Sequence, residues 1–180
     1  MPGSITHESA LRGTSREMKQ FFSGIEHLQP KLGVVLIQLP GTLEFQRRLA
    51  GAFFRSVPRL PTVELVCEPR HASWFTAAAD TQMAESQVAR VAADPARAMN
   101  AGLPGGADGF AYFRWHGSPQ MYYSSYSRVQ LEAFAQVVGG RRGPAWCVFD
   151  NTARYAAWDN ASSFARLLKK GQPAKRLVRR

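Results

Sequence analysis

The chain is 180 residues long, 45% apolar and 20% charged, with a formal net charge of +10. That apolar content suffices for one globular core and excludes a disordered chain, and no run approaches the roughly 20 apolar residues needed to span a bilayer. Six of the positive charges, Lys169, Lys170, Lys175, Arg176, Arg179 and Arg180, fall within the last twelve residues, and subtracting them from the total of +10 leaves +4 for the body.

Blocks of like charge are usually solvated. The chain therefore divides into a domain over residues 1–168 and a basic, disordered tail over 169–180. A nucleic-acid arm is the less favoured reading of the tail, and its binding would be strongly salt-dependent. The opening Met-Pro-Gly-Ser-Ile-Thr-His has no basic segment followed by an apolar one, so no secretory signal is expected and a cytoplasmic location follows. Cys67 and Cys147 both sit inside apolar runs, where free thiols behave as small hydrophobes in a reducing compartment.

In chain order, Met18, Phe21, Phe22, Ile25 and Leu28 recur with helical period and predict a helix over 15–29 that stops before Pro30. Val34 to Ile37 reads as a strand ending on Gln38. A second helix is predicted over 42–57, with Thr42 as its N-cap and Pro58 just beyond it. Val63 to Cys67 is a second strand run, ending on Glu68, and Ser73 is the expected cap of a helix from Trp74 to about Ser86. Val88 to Ala93 ends on Asp94, and Phe110 to Phe113 leads into Arg114 and His116. Ser127 caps a fourth helix that carries Val129, Leu131, Phe134, Val137 and Val138 and stops at Gly139-Gly140. Trp146 to Phe149 ends on Asp150-Asn151, and a last helix is predicted over 160–168 with Phe164, Leu167 and Leu168 inward.

Strands alternating with helices imply an α/β fold with a parallel sheet. The five strand starts, near residues 34, 63, 89, 110 and 145, have the spacing of a TIM-type β/α barrel. Five of eight βα units are visible, so the barrel is expected to be incomplete. Ligands in such folds sit beyond the carboxyl ends of the strands, which is where all five runs place a polar stop. The Gly102–Gly106 and Gly139–Gly143 loops precede strands, so they read as turns on the opposite face. His7-Glu8 begins like a zinc-protease helix, but Leu11 stands where the second histidine belongs, which excludes that class.

Glu68-Pro69-Arg70-His71-Ala72-Ser73-Trp74 and Arg114-Trp115-His116-Gly117-Ser118, together with Ile5-Thr6-His7, Gln38-Leu39-Pro40, Asp94-Pro95 and Phe149-Asp150-Asn151, closely resemble the YecE-like family, domain of unknown function 72. The resemblance extends to Leu168. It implies a TIM barrel whose first three strands, including a Gly-Thr-Ser-Gly-Trp strand and a glutamate-bearing second strand, have no counterpart here, so the chain reads as N-terminally truncated. No activity is established for that family, although it has been likened to sugar isomerases.

From the residues themselves, Glu68, Asp94 and His116 are the candidate catalytic groups, suited to acid and base roles. His7, Gln38, Arg70, His71, Arg114, Tyr123, Asp150 and Asn151 are candidates for substrate binding, the arginines as carboxylate or phosphate clamps. Histidines and carboxylates at separate strand ends would also suit a labile divalent metal, although no spacing demands one. Tyr122, Tyr123 and Tyr126 suit stacking on a sugar or a base, or an aromatic lid. The expected function is binding or transformation of a small polar, sugar-like or anionic metabolite. A nucleic-acid-binding module and an inactive remnant are the alternatives, and self-association through exposed sheet edges is expected.

Overall fold

The structure is a computed structural model that describes residues 1–28 and 30–171. Its order is α1 (Ser15–Glu26), β1 (Val34–Gln38), α2 (Arg47–Ser56), β2 (Glu64–Glu68), α3 (Ala77–Glu85), β3 (Ala89–Arg90), β4 (Ala92–Asp94), β5 (Gly105–Gly106), β6 (Ala111–Trp115), α4 (Arg128–Gly139), β7 (Ala145–Phe149) and α5 (Ala156–Gly171). β1, β2 and β3 pair in parallel, as do β4, β6 and β7. β3 and β4 are one strand interrupted at Val91, whose N–H donates to the Cys67 carbonyl. The interruption passes pairing from β2 to β6.

Side chains alternate across a strand, and that alternation makes two distinct layers. Val35, Ile37, Leu65 and Cys67 face the helices α1 to α3 in one cluster, while Ala111, Phe113 and Trp115 face α4 and α5 in another. On the opposite surface, Val34, Leu36, Val66, Ala89, Val91, Phe110, Tyr112 and Val148 form a third cluster drawn from all the parallel strands. This inner surface is concave. A flat sheet would hold β1 and β6 roughly 14 Å apart, three strand spacings, yet Arg114 on β6 reaches Gln38 on β1 at 2.7 Å. At the other end of the sheet, a Cβ on Gly33 would come within 2.7 Å of the Trp146 ring on β7.

Several expectations need correction. Among the described residues β1 and β7 do not pair and no closed barrel forms; what stands is a mixed α/β fold with parallel strands. Thr42 caps nothing, because the Leu43 carbonyl accepts from Trp74 Nε1 at 2.8 Å and the Phe45 N–H donates to Ser73 Oγ at 2.7 Å. These bonds hold 41–46 as a loop, and α2 starts at Arg47. The same Ser73 is thereby occupied. Residues 72–74 form a single 3₁₀ turn, and Thr76 caps α3 instead by accepting from the Ala79 N–H.

Between β4 and β6 there is no helix. Gly105–Gly106 adds a short antiparallel strand to β3, so one of the two glycine loops is sheet as well as turn. Close approach requires glycine here: a Cβ on Gly105 would lie 2.5 Å from both Arg90 and Asp80, and Gly106 has φ +66°. Ser127 does cap α4, in a reciprocal box with Gln130. α5 begins four residues earlier than predicted and continues to residue 171, into the basic stretch; residues 172–180 lie outside the described residues. Both cysteines are free, Cys67 buried and Cys147 only half-buried. No helix among the described residues is long and apolar enough to cross a membrane.

Candidate functional site

The polar stops are the next step of the inner rows. Leu36 is followed two residues later by Gln38, Val66 by Glu68, Tyr112 by Arg114 and then His116, and Val148 by Asp150. Strand register aligns them at one end: Gln38 stands opposite Glu68, and Asp94 and Phe149 both stand opposite Trp115. An apolar layer therefore carries a polar layer at the carboxyl ends of the strands.

Four of these side chains close a ring. Arg114 Nη1 donates to Glu68 Oε2 at 2.6 Å and Nη2 donates to Asp150 Oδ2 at 2.9 Å. His116 Nδ1 lies 3.0 Å from that same Asp150 oxygen, and its Nε2 lies 3.1 Å from Glu68 Oε1. Glu68 is 3% exposed and His116 2%. Gln38 adds a neutral acceptor for Arg114, and Arg70 Nη2 sits 3.5 Å from Glu68 Oε1. Each imidazole nitrogen faces a carboxylate oxygen. Satisfying both contacts takes two protons among three groups: either both are on the ring, or one is on a carboxyl.

Burial alone would raise the Glu68 carboxyl, but the hydrogen bond from His116 and the charge and hydrogen bond of Arg114 outweigh it and hold Glu68 below its ordinary value. Arg114 behaves in mirror image. Burial would lower it, and Glu68 and Asp150 together raise it instead.

The other candidates are placed differently. Asp94 ends β4 at the same end of the sheet but in register with the outward-facing Trp115, and its carboxylate accepts from the Tyr126 hydroxyl at 2.7 Å; burial and this bond push the Tyr126 phenol up. The Tyr126 oxygen also accepts from the Gly117 N–H at 2.8 Å. Tyr126 thus ties the loop after β6 to β4 and is not free to stack on a ligand. Asn151 is fully buried and donates to the Ser124 carbonyl and to Asn160 Oδ1, while its own Oδ1 has no partner. It braces the same loop from beneath. His71 Nδ1 contacts Ser73 Oγ at 2.8 Å, facing the loop before α2. His7 is exposed and contacts Thr6 Oγ1. Tyr123 is exposed with Arg154 above its ring at 5.7 Å, and Tyr122 packs edge-on against His116. Gln38, Glu68, Arg70, Arg114, His116 and Asp150 are thus brought together, and His7, His71, Asp94, Tyr123 and Asn151 are not part of that network.

Among the described residues no group of three or more His, Cys, Asp or Glu side chains is arranged to hold a metal ion. The carboxylates point at Arg114 and His116 rather than at a shared centre.

Sequence reasoning passed over two features. Arg90 lies within the run taken as apolar, is 2% exposed, and donates to Asp80 Oδ1 at 2.7 Å and to the carbonyls of Asn100 and Leu103 at 3.2 Å each. A charge inside an apolar run was the available signal, since a buried arginine needs partners. Asn160, on α5, accepts from the Tyr126 N–H and from Asn151; nothing local distinguishes it from any helical asparagine.

No curated protein matches the chain. Among solved structures, the crystal structure of a DUF72 family protein from Thermotoga maritima is 25% identical, covers 93% of this chain and 71% of its own, and superposes with a TM-score of 0.78. Two crystal structures of a DUF72 family protein from Enterococcus faecalis, 19% and 16% identical, each cover 92% of this chain and 74% and 70% of their own, with TM-scores of 0.70 and 0.68. These last two speak for the fold alone. The family model described as "Protein of unknown function DUF72" matches residues 1–179, and the chain belongs to that family.

Proposed function

We propose that the carboxyl-end face binds a small polar metabolite and transfers a proton to or from it, with Glu68 and His116 as the acid–base pair. One observation carries this reading: the nearly buried ring of Glu68, His116, Asp150 and Arg114. Two carboxylates flank one imidazole, each ring nitrogen facing a carboxylate oxygen, and they sit where β/α barrels carry out their chemistry. In this reading the sheet is part of a TIM-type barrel. Asp150 orients the ring of His116, Arg114 helps hold the Glu68 carboxyl below its ordinary value, and Gln38 fixes Arg114. Asp94 has a positioning role through Tyr126. An isomerisation of a hydroxy-carbonyl compound fits such a pair, because it requires a proton removed at one carbon and returned at the next.

The test is solvent-deuterium incorporation, followed by NMR, across sugars, sugar phosphates and hydroxy acids. Exchange in the wild type should fall by about 10²–10⁴-fold in Glu68→Gln and in His116→Asn. Wild-type rates in both variants would end the reading.

The same proposal includes self-association through the open side of β7. Tyr155 is 88% exposed and Trp158 79%, and with Phe149 they line an open cleft beside that edge. Exposed aromatic patches of this kind are characteristic of contact surfaces.

A further inference from the structure

Arg114 commits three of its five N–H donors to Gln38, Glu68 and Asp150. Arg70 has one such bond: among the described residues its Nε is buried without a partner, and its only contact with an acid is the 3.5 Å approach to Glu68. A buried guanidinium N–H left unsatisfied is costly. It lies on the wall of a narrow cleft with about 10 Å³ of free space, where Arg97 stands on the opposite loop and Phe75 and Met121 supply apolar surface.

We infer that Arg70 and Arg97 form an oxyanion subsite that receives the carboxylate or phosphate of the metabolite, beside His116. Glu68 is the single carboxylate lining the cleft, and both its oxygens already accept, one facing His116 and Arg70 and the other facing Arg114. The unspent hydrogen-bonding capacity of the cleft therefore belongs to arginine donors, which suit planar or tetrahedral oxyanions. Position is secured from behind. Arg90 holds the loop bearing Arg97 through the Asn100 and Leu103 carbonyls, and its guanidinium covers the Phe75 ring at 4.9 Å. The free space of about 10 Å³ takes one oxygen of such a group and excludes a polymer backbone running through it. His116 also lines the cleft, so a molecule anchored by its anion presents its neighbouring carbons to the proposed acid–base pair. This inference rests on the proposed metabolite site and adds the charge its ligand must carry.

The experiment is a titration of the whole chain with inorganic phosphate and, separately, malonate, followed by the Nε–H resonances of the arginines at constant ionic strength. Arg70 Nε–H is expected to shift saturably with at least one probe, which also decides between phosphate and carboxylate. Arg97→Gln, at an exposed position, should weaken that binding at least tenfold. Arg142→Gln, in the turn at the opposite end of the sheet, should leave it unchanged. An unshifted Arg70, or equal weakening by both substitutions, overturns the subsite. If neutral sugars still undergo exchange that depends on Glu68 and His116, the subsite fails while the proposed function stands. Saturable phosphate binding without any such exchange gives the reverse.

Discussion

Arg114 Nη1 donates to Gln38 Oε1 at 2.7 Å, joining β6 to β1 across the concave face. Two strands lie between them in the sheet, so this bond reports curvature. Arg114 Nη1 is shared with Glu68 at 2.6 Å, and the polar layer therefore acts as a clamp over the apolar layer beneath it. Loss of the clamp should be felt as stability before it is felt as chemistry.

Glu68→Ala is expected to destabilise the fold by about 3 kcal/mol, because removing one partner leaves Arg114 and His116 facing an empty site within the protein. Gln38→Ala removes one hydrogen bond to a charged group and should cost about 1.5 kcal/mol. Urea denaturation of each variant gives both values. A loss of under about 0.5 kcal/mol for Glu68→Ala would mean that water satisfies the cluster and that the ring is not a closed one.

Acid should act through Glu68 in a defined direction. Its carboxyl is held below the ordinary value by His116 and Arg114, so the folded state binds its proton less readily than the unfolded chain, whose glutamates titrate near ~4.3. The stabilisation is thus complete above that pH and disappears as pH falls through the lower, folded value. Stability profiles between about pH 2 and pH 7 should show a steeper acid limb for the wild type than for Glu68→Gln. Parallel profiles would show that Glu68 is not held ionised by its neighbours.

Arg90→Met should release the loop after β4. The Asn100 and Leu103 carbonyls and the Asp80 carboxylate each lose a donor, and the expected loss of stability is about 3 kcal/mol. Native-state hydrogen exchange is the sharper readout. The N–H of Ala93 donates to the Ala101 carbonyl and that of Ala107 to the Val88 carbonyl, and both should exchange faster while the N–H groups of β6 keep their protection. Uniform acceleration over the whole chain would indicate global unfolding instead of a local latch.

Gly33→Ala should displace the Trp146 ring, which the new Cβ would approach to 2.7 Å. Crowding of this kind costs about 1–3 kcal/mol where the neighbour cannot yield, and Trp146 is partly exposed, so about 1 kcal/mol is expected. A Trp146→Ala background should remove the penalty. An additive double variant would show that β1 and β7 do not meet there.

The proposed self-association predicts a sedimentation coefficient that rises with protein concentration. Trp158→Glu places a charge in the exposed aromatic patch and should return the chain to a single slow species without changing its thermal midpoint by more than about 2 °C, as expected of a surface substitution. A wild type that remains monomeric across the concentration range, or a variant that associates equally, removes this part of the proposal.

The order of strands and helices was legible in the sequence because each depends on local periodicity. So was the polar layer: alternation along a strand is a local rule, and Gln38, Glu68, Arg114 and Asp150 each continue an inner row by two residues. The motifs around Glu68 and His116 likewise pointed to the family that the comparison bears out. Where helices begin was less legible. Thr42 and Ser73 have the chemistry of caps, but bonds between residues 28 and 31 positions apart claim that stretch of backbone and the serine hydroxyl first. Only the tertiary structure decided that Asp94 turns to Tyr126, that Asn151 braces a loop, and that Arg90 finds Asp80. It also decided how far the strands curl without closing. Pairing of this sort depends on which side chains reach one another after distant segments meet, and no period or motif along the chain encodes that distance.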